Sequence, residues 1–555
     1  MNEVTRLADE LVDALLIEEP VLIGARYGLR DGQDRLGDPS EDAQEKLRSI
    51  ATRILTTAHS LAATVAGSDR LTLAVVEQQA RSLIDRVDTR AVEYTVTDMF
   101  IAPAGGLLAM LPQTSFAEED HAQAYLDRLA AIPDYLAAAA HRHRNGVRAG
   151  RTPVRRLVDR AVGQLDRHLA DPTADPLLRT SWDSERFAST RDRLVTDVVR
   201  PAFAAYRETL AAEIAEHGRS TEQPGLCWMA GGEAAYALAI RVHTTTGSAP
   251  DDLHRVGREL VADVRAEFAE VGSRVFGTTE HAEIFERMRT DPALRWTDGE
   301  EVLATARTTI ARAEQVAPRW FGRLPEQRCV VEPVPAAQAG GAPPAYYLAP
   351  ALDGSRPGTY FANTALAEDR PRYNAEVYAF HEAVPGHHVQ LTLAQELTDL
   401  PLLRRIADVT AYAEGWGLYC ERLAEEMGLY SGDVARLGLL TLDSLRAARL
   451  VVDTGLHSRG WTRERAVEYL CTNTPMPRSE IETEVDRYIA WPGQALAYMV
   501  GRLEFRRLRA AAKSALGDRF DIRAFHDLVI GHGALPLSVL ADVVTEWAAT
   551  PGPSR

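Results

Sequence analysis

The sequence predicts a mainly α-helical protein with one small antiparallel β-sheet. Three observations carry that expectation. Apolar residues recur at three- and four-residue spacing along most of the chain, as in Leu7, Leu11, Leu15 and Leu16, the period of a helix buried on one face. Short breaks rich in Pro and Gly, such as residues 103–113, separate these stretches. Only residues 329–363 switch to short runs of β-branched and aromatic residues between Gly/Pro turns, the texture of strands.

Taken in order, helices are expected near 49–66, 72–87, 122–142, 153–169 and 189–216, and residues 1–223 read as a helical lobe. Residues 224–555 read as a second, catalytic lobe. Gly231-Gly232 precedes a helix containing Tyr236 but lacks a GxGxxG pattern and a preceding strand, so it is expected to be a structural turn. Strands are expected at 329–334, 345–349 and 359–363. An open edge there, Tyr347 included, would either hold an extended peptide through backbone hydrogen bonds or belong to a plain structural meander. Helices then return at 375–384, with Asn374 as N-cap, and at 402–427, 433–457, 463–470, 479–489 and 493–516. The tail 551–555 is expected to fray.

Composition excludes several function classes. The chain has 555 residues, 46% hydrophobic and 25% charged, as in an ordinary globular protein. Lys and Arg number 62 against 79 Asp and Glu, a formal net charge of −17. Phosphate-backbone binding needs the opposite sign, so no nucleic-acid partner is expected. Cys227, Cys329, Cys420 and Cys471 form no CxxC pair, which argues against a cysteine metal site or a disulfide framework. The N-terminal residues lack a basic region followed by an apolar run, and no charge-free apolar stretch approaches about 18 residues. A cytoplasmic protein without membrane contact is expected, and no signal for oligomeric state is visible.

The densest chemistry lies in Ala379-Phe380-His381-Glu382-Ala383-Val384-Pro385-Gly386-His387-His388-Val389-Gln390. Three imidazoles and a carboxylate among apolar positions have the composition of a metal site. His-Glu followed by His is also the order found in zinc peptidases, whose two His ligands sit one turn apart while the Glu activates water. Here, however, the fourth residue after His381 is Pro385, which has no ligating atom and disturbs a helix. On a regular helix His387 falls about 120° off the His381 face, and His388 returns to that face about 10 Å along. Neither shares a tetrahedral ion with His381 unless the helix distorts. Pro385 removes an amide donor and Gly386 tolerates unusual backbone angles. If a bulge there absorbs two residues, His387 becomes the ligand.

Other candidates lie downstream. Glu414 stands amid apolar and small residues, an expensive place for an unpaired carboxylate, and is the candidate third ligand. Gly415 and Gly417 would let a neighbouring helix approach, despite their cost within a helix. Glu421, two turns on, either supports a ligand or faces solvent. Asp453 and His457, four apart in an apolar segment, form a buried pair that either faces the site or serves structure. Arg487 is a candidate for holding a substrate carboxylate. Tyr498, with Gln494 a turn earlier, is either the donor to a tetrahedral oxyanion or a core tyrosine.

His-Glu-x-x-Pro-Gly-His at 381–387, Glu-Gly-Trp at 414–416 and Pro-Gly-Gln-Ala-Leu-x-Tyr at 492–498 together resemble the bacterial domain of unknown function 885 family. Matches at Gly150-Arg151-Thr152-Pro153, Gly231-Gly232-Glu233 and Val452-Asp453-Thr454-Gly455-Leu456-His457 extend the resemblance over most of the chain, as one continuous domain. It implies a zinc-dependent, peptidase-like protein with a two-lobed helical fold, similar to the thimet-oligopeptidase and helical carboxypeptidase group. In that group the third ligand is a Glu on a following helix and a Tyr stabilises the oxyanion. The resemblance implies His387 rather than His388 as second ligand, beside His381 and Glu414.

The expected activity is zinc-dependent hydrolysis of short peptides, as a carboxypeptidase or dipeptidase, with Glu382 as general base. Two alternatives use the same residues: hydrolysis of a non-peptide amide or ester, and peptide binding without hydrolysis. A mere binder has no need of Glu382. One geometric expectation is sharp. The helix should deform between Val384 and His387, turning His387 towards His381 and leaving His388 outside the ligand set.

Overall fold

Helices form where apolar period and caps agree, and move where a tertiary partner intervenes. The computed structural model describes residues 2–29, 32–114, 116–336 and 339–550; the tail 551–555 lies outside them. It is 70% helix and 3% strand, the helical class the periodicity predicts. The helix Asp433–His457 has the expected bounds. The expected 49–66 helix starts earlier, at Glu41, because the Ser40 hydroxyl accepts from the Ala43 amide and Glu41 and Asp42 fill the first turn. The expected 402–427 helix splits into Leu402–Ile406 and Thr410–Glu426. Between them the Asp408 carbonyl accepts from Gln79 Nε2 at 2.7 Å and its carboxylate takes Arg26 at 2.8 Å, partners that no local pattern announces.

The sheet is a correction to the expected antiparallel one. Its strands, β1 (Val330–Pro333), β2 (Ala345–Leu348) and β3 (Thr359–Ala362), stand in the order β1-β3-β2. β3 pairs antiparallel with β2 and parallel with β1. The chain reverses twice, as in a meander, but β3 inserts between its predecessors and so meets β1 in the same direction. That insertion leaves β2 at an edge.

The helix Asp433–His457 forms the axis of the region that carries the site. From Leu437 to His457 every residue is buried except Arg446, so it has no solvent face of the usual amphipathic kind. The helix Pro250–Phe276 lies along it, with Gly257 close to Ala447, Leu450 and Val451 and Arg274 paired to Asp433. Asp443, fully buried, joins Arg422 and Arg502. Burial pushes its carboxyl up, but the two guanidinium groups hold it below the usual range. This links Asp433–His457 to the helices Thr410–Glu426 and Ala497–Leu516. The largest core cluster combines Leu7, Leu11, Ile54 and Val76 with Phe380, Trp416, Phe505 and Leu540, so the first helices pack against those that bear the histidines. A separate cluster, including Leu129, Val158 and Phe203, lies within residues 36–215. Among the described residues no helix is long and apolar enough to cross a membrane.

Candidate metal centre

The helix Ala375–Glu382 ends sooner than expected, and its end creates the site. A turn of 3-10 helix, Arg372–Asn374, feeds into it, so Asn374 is helical and its side chain caps nothing. At the other end Ala383 leaves helical angles (φ −108°, ψ −101°), the Val384–Pro385 bond is cis and Gly386 has φ −76°, ψ −129°. A new helix, His387–Gln395, then begins. A Cβ at Gly386 would lie 1.8 Å from the His381 carbonyl oxygen, so only glycine lets the chain turn back this tightly. The result is the expected one: the His381 and His387 rings stand 4.7 Å apart and nearly perpendicular. His388 points elsewhere, accepting from the Tyr347 hydroxyl at 2.9 Å and donating to the Gln327 carbonyl at 2.9 Å.

One face of the helix Thr410–Glu426 completes the arrangement. Glu414, Gly417 and Glu421 follow at spacings of three and four, and therefore share that face. Glu414 Oε2 lies 3.5 Å from His381 Nε2 and 3.6 Å from His387 Nε2. Gly417 forms a notch that receives the His381 ring; a Cβ there would lie 2.5 to 2.9 Å from three ring atoms. Below the notch, buried Glu421 accepts from His381 Nδ1 at 2.7 Å, which fixes the tautomer and aims Nε2 at Glu414. The same helix holds the bulge, since Trp416 Nε1 donates to the Pro385 and Gly386 carbonyls and Cys420 Sγ reaches the Pro385 carbonyl. Gly415, on the next face, meets the Gly501 backbone. The two glycines thus have different tasks, and only Gly415 admits a neighbouring helix.

The donor set fits a metal ion. One atom from each of His381, His387 and Glu414 lies within 4.8 Å of the others. Tetrahedral zinc with bonds near 2.0–2.1 Å separates its ligands by about 3.3 Å, and the two His–Glu distances lie a few tenths beyond that. The electrostatics agree. Burial opposes a charged ring at His381, yet the Glu414 and Glu421 carboxylates raise it to about 10. Glu414, despite burial, is held well below the usual carboxylate range by the two histidines. This buried point attracts positive charge, which a proton supplies and a cation would supply better.

Glu382, next to His381, receives the Tyr347 amide N–H on Oε2 at 3.0 Å. That amide belongs to the outer edge of β2, so it is the Tyr347 backbone that reaches Glu382. Its hydroxyl is bonded to His388 and Thr392. Arg487 and Gln494 are brought together but bond to each other, and Arg487 also pairs with Glu484 at 3.3 Å, so neither is a free substrate group. Asp453 and His457 do not pair. Asp453 accepts from the Tyr236 hydroxyl at 2.6 Å and the Gly493 amide, while His457 accepts from the Leu226 amide and donates to the Tyr488 carbonyl. Both tie loops to the axis helix, because i and i+4 side chains splay when each has a better tertiary partner. Tyr498 lies under two guanidinium groups, Arg446 at 4.8 Å and Arg449 at 4.7 Å from its ring centre. Neither arginine has a sequence pattern that marks it, and in Gly417 the absence of a side chain is itself the function.

Asp453 also gives a pH expectation. Burial pushes its carboxyl up to about 7, against the pull of the Tyr236 and Gly493 donors, from about 3.9 when unfolded. Between those values the folded protein holds a proton that the unfolded chain has lost, so stability falls as pH rises. The unfolding free energy of the parent, read by denaturant titration, should therefore drop relative to that of Asp453→Asn between about pH 4 and 7, by about 1.4 kcal/mol per pH unit. A difference that does not change with pH would contradict this.

The model of the family "Bacterial protein of unknown function (DUF885)" matches residues 22–544, and the chain belongs to that family. No curated protein matches it. Among solved structures, a "putative lipoprotein" from Colwellia psychrerythraea superposes with a TM-score of 0.89 at 27% identity, over 98% of each chain. A "putative lipoprotein of unknown function" from Shewanella oneidensis gives 0.76 at 18% identity, over 98% of this chain and 100% of the other, a likeness of fold alone.

Proposed function

We propose that this member of the family is a zinc-dependent hydrolase of short peptides, acting as a carboxypeptidase or dipeptidase in a cleft between two helical lobes. The observation that carries the reading is the convergence of His381, His387 and Glu414 beside Glu382. A divalent ion held by the three ligands would polarise a peptide carbonyl and acidify a water molecule from about 15.7 towards about 7. Glu382 takes the proton from that water and hands it to the leaving amine, ending ionised as it began. Its second oxygen makes no hydrogen bond among the described residues, which leaves it available for that exchange. The outer edge of β2 runs past Glu382, so an extended peptide pairing with that edge brings its backbone to the carboxylate. Tyr498, whose hydroxyl has no hydrogen bond among the described residues, serves as donor to the oxyanion. The N-terminal helices supply the facing wall, with Arg26 within electrostatic reach of Glu414.

The scattered free cysteines suit a reducing cytoplasm, whereas the two relatives described as lipoproteins suit the cell envelope; fractionation of native cells separates these. The activity is tested by metal analysis of protein purified without chelator, then by digestion of a peptide library read by mass spectrometry. Stoichiometric zinc is expected, with cleavage that stops on chelation and returns when zinc is restored. Protein that takes up no metal would sink the reading. Bound zinc with an uncut library would move it to a non-peptide amide or ester.

A further inference from the structure

Arginines near the centre of this protein are consistently paired. Arg422 and Arg502 share Asp443, Arg449 donates to Glu484 at 2.7 Å and to the Tyr488 hydroxyl at 2.9 Å, and Arg487 takes Glu484 and Gln494. Arg446 departs from this pattern. It has no ion pair and no hydrogen bond among the described residues, and its Nε is buried without a partner. Its guanidinium lies over the Tyr498 ring, 4.8 Å from the ring centre. An unpaired guanidinium in a protein interior is costly, and this one stands at the single accessible position of an otherwise buried stretch of helix. A second buried donor, Arg449 Nη1, is also unsatisfied beside it.

We infer that Arg446, with Arg449 behind it, binds the C-terminal carboxylate of the peptide substrate. The inference rests on the peptidase reading given above and names its substrate class. Location supports it. Arg446 acts electrostatically on Tyr378, which lies one turn before His381 and Glu382 on the same helix. Tyr498 lies one turn before Gly501, which touches Gly415 beside Glu414. The arginine and the metal ligands therefore share neighbours on two different helices. Charge supports it too: Glu484 is shared by Arg449 and Arg487, which leaves Arg446 without a carboxylate of its own among the described residues. A guanidinium matches a carboxylate with two parallel hydrogen bonds, a fit that a carboxamide does not offer. Arg487, the arginine that sequence favours, is spent on Glu484 and Gln494.

The test uses zinc-loaded full-length protein carrying Glu382→Gln, so that binding is read without turnover, and one peptide in three forms: free acid, C-terminal amide, and C-terminal amide with a Glu side chain at the last position. Calorimetry should show the free acid bound about 30-fold more tightly than the amide, the order expected for charge-assisted hydrogen bonds. Adding Arg446→Gln should bring acid and amide within a few-fold of each other, with zinc content and melting temperature unchanged; Arg446→Lys should restore part of the preference. Acid and amide bound equally by the Arg446 protein would overturn the inference, as would a preference that survives Arg446→Gln. Tighter binding of the Glu-bearing amide than of the free acid would also overturn it, assigning the anchor to an acidic side chain. If the parent cuts no peptide yet binds the acid selectively, the hydrolytic reading fails and the anchor stands.

Discussion

Replacement of Glu382 by Gln is expected to leave metal content and melting temperature as they are and to lower peptide hydrolysis by about 10²- to 10⁴-fold. The substitution keeps the shape and the oxygen that accepts the Tyr347 amide, so the edge of β2 stays in register with the helix. What it removes is basicity. Glutamine would take no proton from water and return none to the leaving amine, while His381, His387 and Glu414, which would hold the ion, stay in place. Measurement of kcat and zinc stoichiometry on the same preparation separates this from damage to the site. Unchanged activity in a zinc-replete Glu382→Gln protein would remove Glu382 from the chemistry. Loss of zinc along with activity would instead make it part of the support for the ligands.

Gly417→Ala carries the second large effect, and its sign opposes ordinary expectation. Alanine in place of a glycine within a helix favours the helix by about 1 kcal/mol, and Gly417 lies inside Thr410–Glu426. The added methyl, however, would sit 2.5 Å from His381 Cε1. The imidazole cannot slide away freely, because Glu421 holds its Nδ1 and Glu414 faces its Nε2. Zinc affinity should fall by about 100-fold, the upper range for disturbing the support of a metal-bound histidine. The metal-free protein should melt at the same temperature or lower, because the clash with a held ring offsets the helix gain. Competition with a chelating dye and thermal melts in excess chelator read the two effects separately. Zinc affinity equal to that of the parent would mean that the notch does not set the His381 position.

How much of this was visible in the chain can be followed residue by residue. His381 and Glu382 were legible with Pro385 and Gly386, because helix rotation and rise are fixed numbers and the proline made the regular arrangement impossible; the choice of His387 over His388 came from the family resemblance, not from spacing. The bulge had to exist if the site did. Glu414 was legible as a carboxylate too costly to leave alone among apolar neighbours, and Glu421 as a residue on the same face. The strands were placed to within a residue or two, but their order was not. Strand pairing depends on which partner arrives first at an edge, and short strands carry little to choose between partners. Asp453 and His457 show the limit of spacing as a guide, since correct i, i+4 geometry yields to better partners in Tyr236, Gly493, Leu226 and Tyr488.

The sequence by itself determined a mainly helical protein and singled out His381, Glu382, His387 and Glu414 as one candidate site. Local spacing encodes these because a helix converts position along the chain into direction around an axis. Only the tertiary structure decided that Gly417 receives the His381 ring, that the edge of β2 meets Glu382, and that Arg487 is paired while Arg446 is not. Each of these depends on which atoms are left over after every other group has found its partner. That remainder is a property of the whole packed molecule, and no stretch of the chain contains it.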